Sequence, residues 1–153
     1  MSNILIEDVI KEKLIGETQE NILNFVAWMQ ENEFDFKNLR FIGTELRGHA
    51  SYKSKGFASI MISDQFVMWI GLSVKFHKTE DDEIKDLAWS HVVNCPQVEH
   101  DCNPPHNRSC KRYHCRWKVF GKEFPSTCHA PLAFFGPDTE ALEKLKKLLV
   151  LIR

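Results

Sequence analysis

Residues 115–149 read CRWKVFGKEFPSTCHAPLAFFGPDTEALEKLKKLL, and they hold the two signals that decide the fold, a hairpin and the helix that closes the chain. In a regular strand Cys115, Trp117 and Val119 share one face with Tyr113 just upstream. Gly121 and Lys122 suit a two-residue loop, because glycine at the first loop position fits a type II′ turn. That loop would pair Phe120 with Glu123 and Val119 with Phe124, and would bring Cys115 opposite Cys128. Pro125 lacks an N–H, so it fits only an edge or a bulge, and a bulge would shift the last pairings by one residue. Beyond the hairpin, Pro137 and Asp138 form a helix start with Asp138 as the cap. Leu142, Leu145, Leu148, Leu149 and Ile152 form the buried stripe, with Glu140–Lys144 and Glu143–Lys147 as surface pairs.

Working back from this hairpin, Thr79 is a cap for a short helix that turns Ile84, Leu87 and Ala88 inward. The acidic run from Glu80 to Glu83 suits the positive end of that helix. From Phe66 to Phe76 the pattern is a half-buried strand, with Leu72, Val74 and Phe76 on one face and Ser73, Lys75 and His77 on the other. Ser63, Asp64 and Gln65 form a turn. Leu39 to Ile62 reads as extended chain with a hairpin turn at Gly56. Thr18 caps a helix in which Ile22, Phe25, Val26 and Met29 recur at helical spacing, with Asn32 as its stop. Ile4, Leu5, Val9 and Ile10 outline a shorter helix that ends before Gly16.

The fold class that follows is α+β: an antiparallel sheet with helices packed mainly on one face, and a Cys/His-rich loop and hairpin. No strict βαβ alternation is present, which argues against a Rossmann-like arrangement. At 153 residues, 43% hydrophobic and 27% charged, residues 1–153 read as a single domain able to bury its own core. Residues 95–129 are a Cys/His-rich subregion of it. The formal charge of −1 gives no overall bias toward nucleic acid or anionic membrane. The apolar runs around Phe66–Leu72 and Leu148–Ile152 are too short to cross a bilayer. No export signal follows Met1, so the expected location is cytoplasmic.

All five cysteines, Cys95, Cys102, Cys110, Cys115 and Cys128, fall in one stretch. An odd number without an export signal argues against an obligatory disulfide framework. Thiolates and imidazole suit zinc better than magnesium or calcium. A tetrahedral site would use Cys110, Cys115 and Cys128 with Cys102 or His106 as the fourth group. The spacings C-x7-C-x4-C-x12-C lack the paired CxxC of common zinc modules, so free structural thiols stand beside the metal reading. Arg108, Lys111, Arg112, Arg116, Lys118 and Lys122 surround these cysteines, with no acidic residue from Asn103 through Lys122. Such a field lowers the pKa of an exposed thiol, and equally it balances a thiolate-rich zinc centre.

Gly121–Phe124 (GKEF), the following Cys128 and the closing FFGPDTEALEKLKKLL resemble small uncharacterised bacterial proteins. Those proteins carry several cysteines before a GKEF-like hairpin and a C-terminal helix. The resemblance spans Cys102 to Leu149. It implies that Cys102, Cys110, Cys115 and Cys128 act as one set, and it implies no activity.

No P-loop, dinucleotide fingerprint, HExxH or GxSxG is present. The leading functional reading is therefore a small protein with a clustered-thiol or structural zinc site, used for binding. A thiol-dependent enzyme or redox sensor is the first alternative. Because His114 and His129 adjoin cysteines within strands, that chemistry would need His49, His77, His91, His100 or His106. A domain that binds a small molecule between sheet and helix is the second, with Trp28, Trp69, Trp89 and Trp117 as cavity candidates. The expected partner is an unknown small molecule or protein. A nucleic-acid partner is not expected, since Tyr113, Trp117 and Phe120 in the basic patch read first as core, and no membrane partner is expected.

Overall fold

The computed structural model describes residues 3–71, 74–94 and 115–153, with backbone alone at Asn94, Cys115, Arg116, Pro125, Ser126, Cys128 and His129. Two helices open the chain, α1 (Ile6–Lys13) and α2 (Gly16–Glu31). Four strands follow: β1 (Phe34–Ile42), β2 (Glu45–Tyr52), β3 (Lys55–Ile62) and β4 (Phe66–Ile70). Next come α3 (Asp82–Ser90), the short β5 (Val92–Asn94), β6 (Cys115–Val119), the long β7 (Lys122–Phe135) and α4 (Thr139–Ile152). The sheet runs β1-β2-β3-β4-β7-β5, with β6 on the first part of β7, and all its pairings are antiparallel. The chain is thus α+β, as its sequence pattern indicates.

The core explains this arrangement. Ile60 and Ile62 of β3, Phe66, Met68 and Ile70 of β4, and Leu132 and Phe134 of β7 alternate along their strands. They join residues of all four helices in one apolar cluster. The helices contribute Ile10 of α1, Phe25 and Met29 of α2, Leu87 of α3, and Leu145 and Leu148 of α4, among others. Val67 and Ala133, on the alternate positions of β4 and β7, are buried but lie outside that cluster. One sheet face therefore carries the core shared with the helices, as the period-two and period-3.6 patterns require.

Several local expectations need correction. Helix α2 begins at Gly16, two residues before Thr18, and has no side-chain cap. The corner is held instead by Gln19, whose Nε2 donates to Leu14 O at 2.6 Å and Lys11 O at 3.0 Å. Strand β1 starts at Phe34 rather than Leu39, because Phe34 packs edge-on against Phe57 in the core. The β2–β3 turn is Lys53-Ser54, both with positive φ (47° and 67°), and Gly56 already pairs with Ser51. Two successive left-handed residues match the strand twist of a two-residue hairpin even without glycine.

Strand β4 ends at Ile70, short of the Phe76 expected. A Cβ on Gly71 would collide with Pro131 Cδ and sit 2.6 Å from Ala130 Cα of β7. Val74 and Phe76 are nevertheless buried and Lys75 and His77 exposed, so the alternation survives without a ladder. The cap of α3 is Asp81, whose Oδ1 accepts from Ile84 N at 3.2 Å, and Thr79 Oγ1 in turn accepts from Asp81 N. Helix α4 follows its sequence closely. Asp138 Oδ1 accepts from Ala141 N at 2.8 Å, and Lys144 pairs with Glu140 at 3.0 Å. Glu143, however, pairs with Lys146, while Lys147 reaches across to Glu83 of α3.

Candidate functional site

The described part of the cysteine-bearing region is built around β7. Its hairpin turns at Phe120-Gly121 (φ 47° and 87°), one residue earlier than the Gly121-Lys122 loop expected. Val119 pairs with Lys122, Lys118 with Glu123, and Trp117 with Phe124. The register then shifts, and Cys115 pairs with Thr127. The shift falls where β7 carries Pro125, a residue that cannot donate to a ladder. Cys128 stands one position beyond the residue paired with Cys115. A one-residue slip changes which positions share a face, so direct opposition of these two cysteines is replaced by nearness along the backbone.

Phe120 takes the left-handed conformation because its ring is needed in the core. It is 4% exposed and meets Phe76 edge-on at 5.5 Å. Trp117 also meets Phe76 edge-on, at 6.1 Å. Trp89 of α3 donates its indole N–H to Val119 O at 2.8 Å, and Lys122 Nζ lies 5.4 Å from the Trp89 ring centroid. The hairpin is thereby tied to α3 at its turn end.

The opposite end of the hairpin is anchored at Thr127. Asn94 of β5 pairs with Thr127, as Cys115 does from the opposite side of β7. Two strand spacings separate the paired backbones, about 10 Å. Residues 95–114 connect them, so the segment leaves and returns on either side of one residue. Cys95, Cys102, His106 and Cys110 lie outside the described residues, as do His100, Tyr113 and His114. Among the described residues, no group of three or more His, Cys, Asp or Glu side chains is placed to hold a metal ion.

The remaining histidines are dispersed. His49 on β2 and His77 after β4 are exposed. His91, which ends α3, is held by Leu87 O at 2.7 Å from its Nδ1 and stacks on Phe134 with centroids 4.4 Å apart. It has a packing role.

Concave sites among the described residues include a larger and a smaller one. The larger, about 660 Å³, runs between α3 and α4 and carries Glu83, Asp86, Asp138 and Glu140. Most of these carboxylates already serve the fold: Glu83 binds Lys147, Glu140 binds Lys144, and Asp138 caps α4. The hydrogen bond and charge of Glu140 raise the Lys144 pKa above its ordinary value. The smaller cavity, about 230 Å³, lies between the β2–β3 hairpin, residues 74–77 and the end of α4. Neither site is lined by any of the four tryptophans. Trp28 stacks with Phe25 and Phe34, and Trp69 meets Phe135 edge-on. Sequence reasoning missed the smaller cavity because its walls come from three separated segments that carry no motif.

No family model, curated protein or solved structure matches this chain. No helix among the described residues is long and apolar enough to cross a membrane.

Proposed function

We propose that the protein is a binding protein with a clustered-thiol or structural zinc site built from Cys110, Cys115 and Cys128, with Cys102 or His106 as the fourth group. The observation that carries this reading is the convergence at Thr127. All five cysteines fall between Cys95 and Cys128, and the strands entering and leaving the intervening segment pair with that one residue. With its two ends about 10 Å apart, the intervening sequence is long enough to return its thiols toward Cys115 and Cys128. The stretch 102–114 is rich in proline, asparagine and charge, and has little apolar material with which to fold on its own. A metal supplies folding free energy that such a segment lacks.

Elemental analysis of protein purified without an affinity metal tests this, combined with thiol counting before and after chelation. About one equivalent of zinc, with thiols protected until a chelator is added, is the expected result. Metal-free protein whose cysteines react independently would overturn the site. A single native cysteine that alkylates rapidly, again without metal, would favour the thiol enzyme or redox sensor.

A further inference from the structure

The geometry points to a second binding site, independent of the thiols: the 230 Å³ cavity at the C-terminal end of α4 takes a small organic anion with a compact apolar body. Its floor is apolar. Phe57 of β3 and Val74 are buried, at 8% and 6% exposure, and Ile152 of α4 is half-buried beside them. Its charged side chains are of one sign. Lys55, Lys75 and Arg153 contribute cationic groups, His77 contributes an imidazole, and no carboxylate side chain lines the cavity. The whole chain has 20 basic and 21 acidic residues, so this lining is a local departure from a balanced composition.

The cations are also available. Neither Lys55 nor Lys75 has an ion-pair partner among the described residues. Arg153 is positioned rather than loose. Its guanidinium lies 5.4 Å from the Tyr52 ring centroid and donates to Asn32 O at 3.4 Å, while Lys53 Nζ lies 5.3 Å from the same ring. Tyr52 is thereby a fixed aromatic wall with positive charge beside it.

Size and chemistry together select the ligand class. Ordinary ligand pockets run from about 300 to 1,000 Å³, so this cavity admits a fragment-sized molecule. An apolar floor with unneutralised cations at its margin fits a carboxylate or phosphate on a ring or short branched chain. A bare inorganic anion would leave the floor unfilled, and a neutral apolar molecule would leave the charges unmet.

Titration of the full chain with benzoate, followed by backbone amide shifts, tests the assignment. The expected result is saturable shifts at Lys55, Phe57, Lys75 and Ile152, weakening as sodium chloride rises. Benzyl alcohol, which lacks the charge, and formate, which lacks the apolar body, should each bind roughly tenfold more weakly. Replacing both exposed lysines, Lys55→Glu with Lys75→Glu, should weaken benzoate roughly tenfold while leaving the thermal midpoint and zinc content unchanged. If the double charge reversal disturbs folding, Lys55→Gln with Lys75→Gln serves instead, with the same direction expected. Absence of saturable shifts, equal binding of benzyl alcohol or formate, or indifference to the lysine variants would overturn the proposal. None of these outcomes depends on the thiol site, whose failure would show in metal content and thiol reactivity.

Discussion

The two halves of β7 differ in how firmly their register is set. From Leu132 to Phe135 the strand pairs with β4 without interruption, Ile70 with Leu132 through Val67 with Phe135. Leu132, Ala133 and Phe134 are buried there, so a one-residue slip would expose apolar side chains and drive others into the wrong face. From Lys122 to Thr127 the same strand pairs with β6, and the register shifts before Cys115. Lys122 and Glu123 are exposed and Phe124 is half-buried. Burial there penalises a slip less, and Pro125 interrupts the donors. The regular half is fixed by apolar alternation, while the irregular half depends on its turn and on contacts from α3.

That contrast breaks most visibly at Phe134. The ring is fully buried, pairs across to Met68 and stacks on His91. Phe134→Ala should cost about 3–5 kcal/mol of unfolding free energy, read from the denaturant midpoint at unchanged slope. A loss below about 1 kcal/mol, far under the usual range for a buried Phe, would mean that this half of β7 is not fixed by its apolar face.

A smaller effect is expected where the loop after β4 meets β7. Gly71 donates to Phe57 O at 3.2 Å, and an added Cβ would sit 2.6 Å from Ala130 Cα, a backbone atom with little room to move. Gly71→Val should destabilise by about 1–3 kcal/mol through overpacking. A thermal midpoint within error of the parent would contradict this close approach.

The hairpin half should respond least in global stability and most locally. Trp89→Phe keeps most of the ring but removes the donor to Val119 O, and it should cost about 1 kcal/mol. Hydrogen exchange separates the two halves. Amides of Trp117 to Val119 should exchange faster in the variant, and those of Val67 to Ile70 should not. Equal acceleration in both would show that β7 opens as one unit, and would erase the distinction between its halves.

The same contrast separates the elements that are legible in the amino-acid sequence from those that are not. Helix α4 is legible in full outline, because Asp138 and the leucine stripe at 142, 145, 148 and 149 are local signals with a single periodic solution. The β6–β7 hairpin is legible as an element but not in register. Gly121 attracts the turn on local grounds, yet burial of Phe120 against Phe76 moves the loop back by one residue and puts a phenylalanine at positive φ.

By itself, then, the sequence determined the α+β class, the closing helix and its cap, and the crowding of cysteines into one segment. Each of these is written in residues close together along the chain. Only the tertiary structure decided that β5 and β6 both meet β7 at Thr127, that Glu83 rather than Glu143 receives Lys147, and that Lys55, Lys75 and Arg153 gather around one apolar floor. Those contacts join positions far apart in sequence. They are set by how the apolar faces of the elements pack, and local propensity carries no record of that packing.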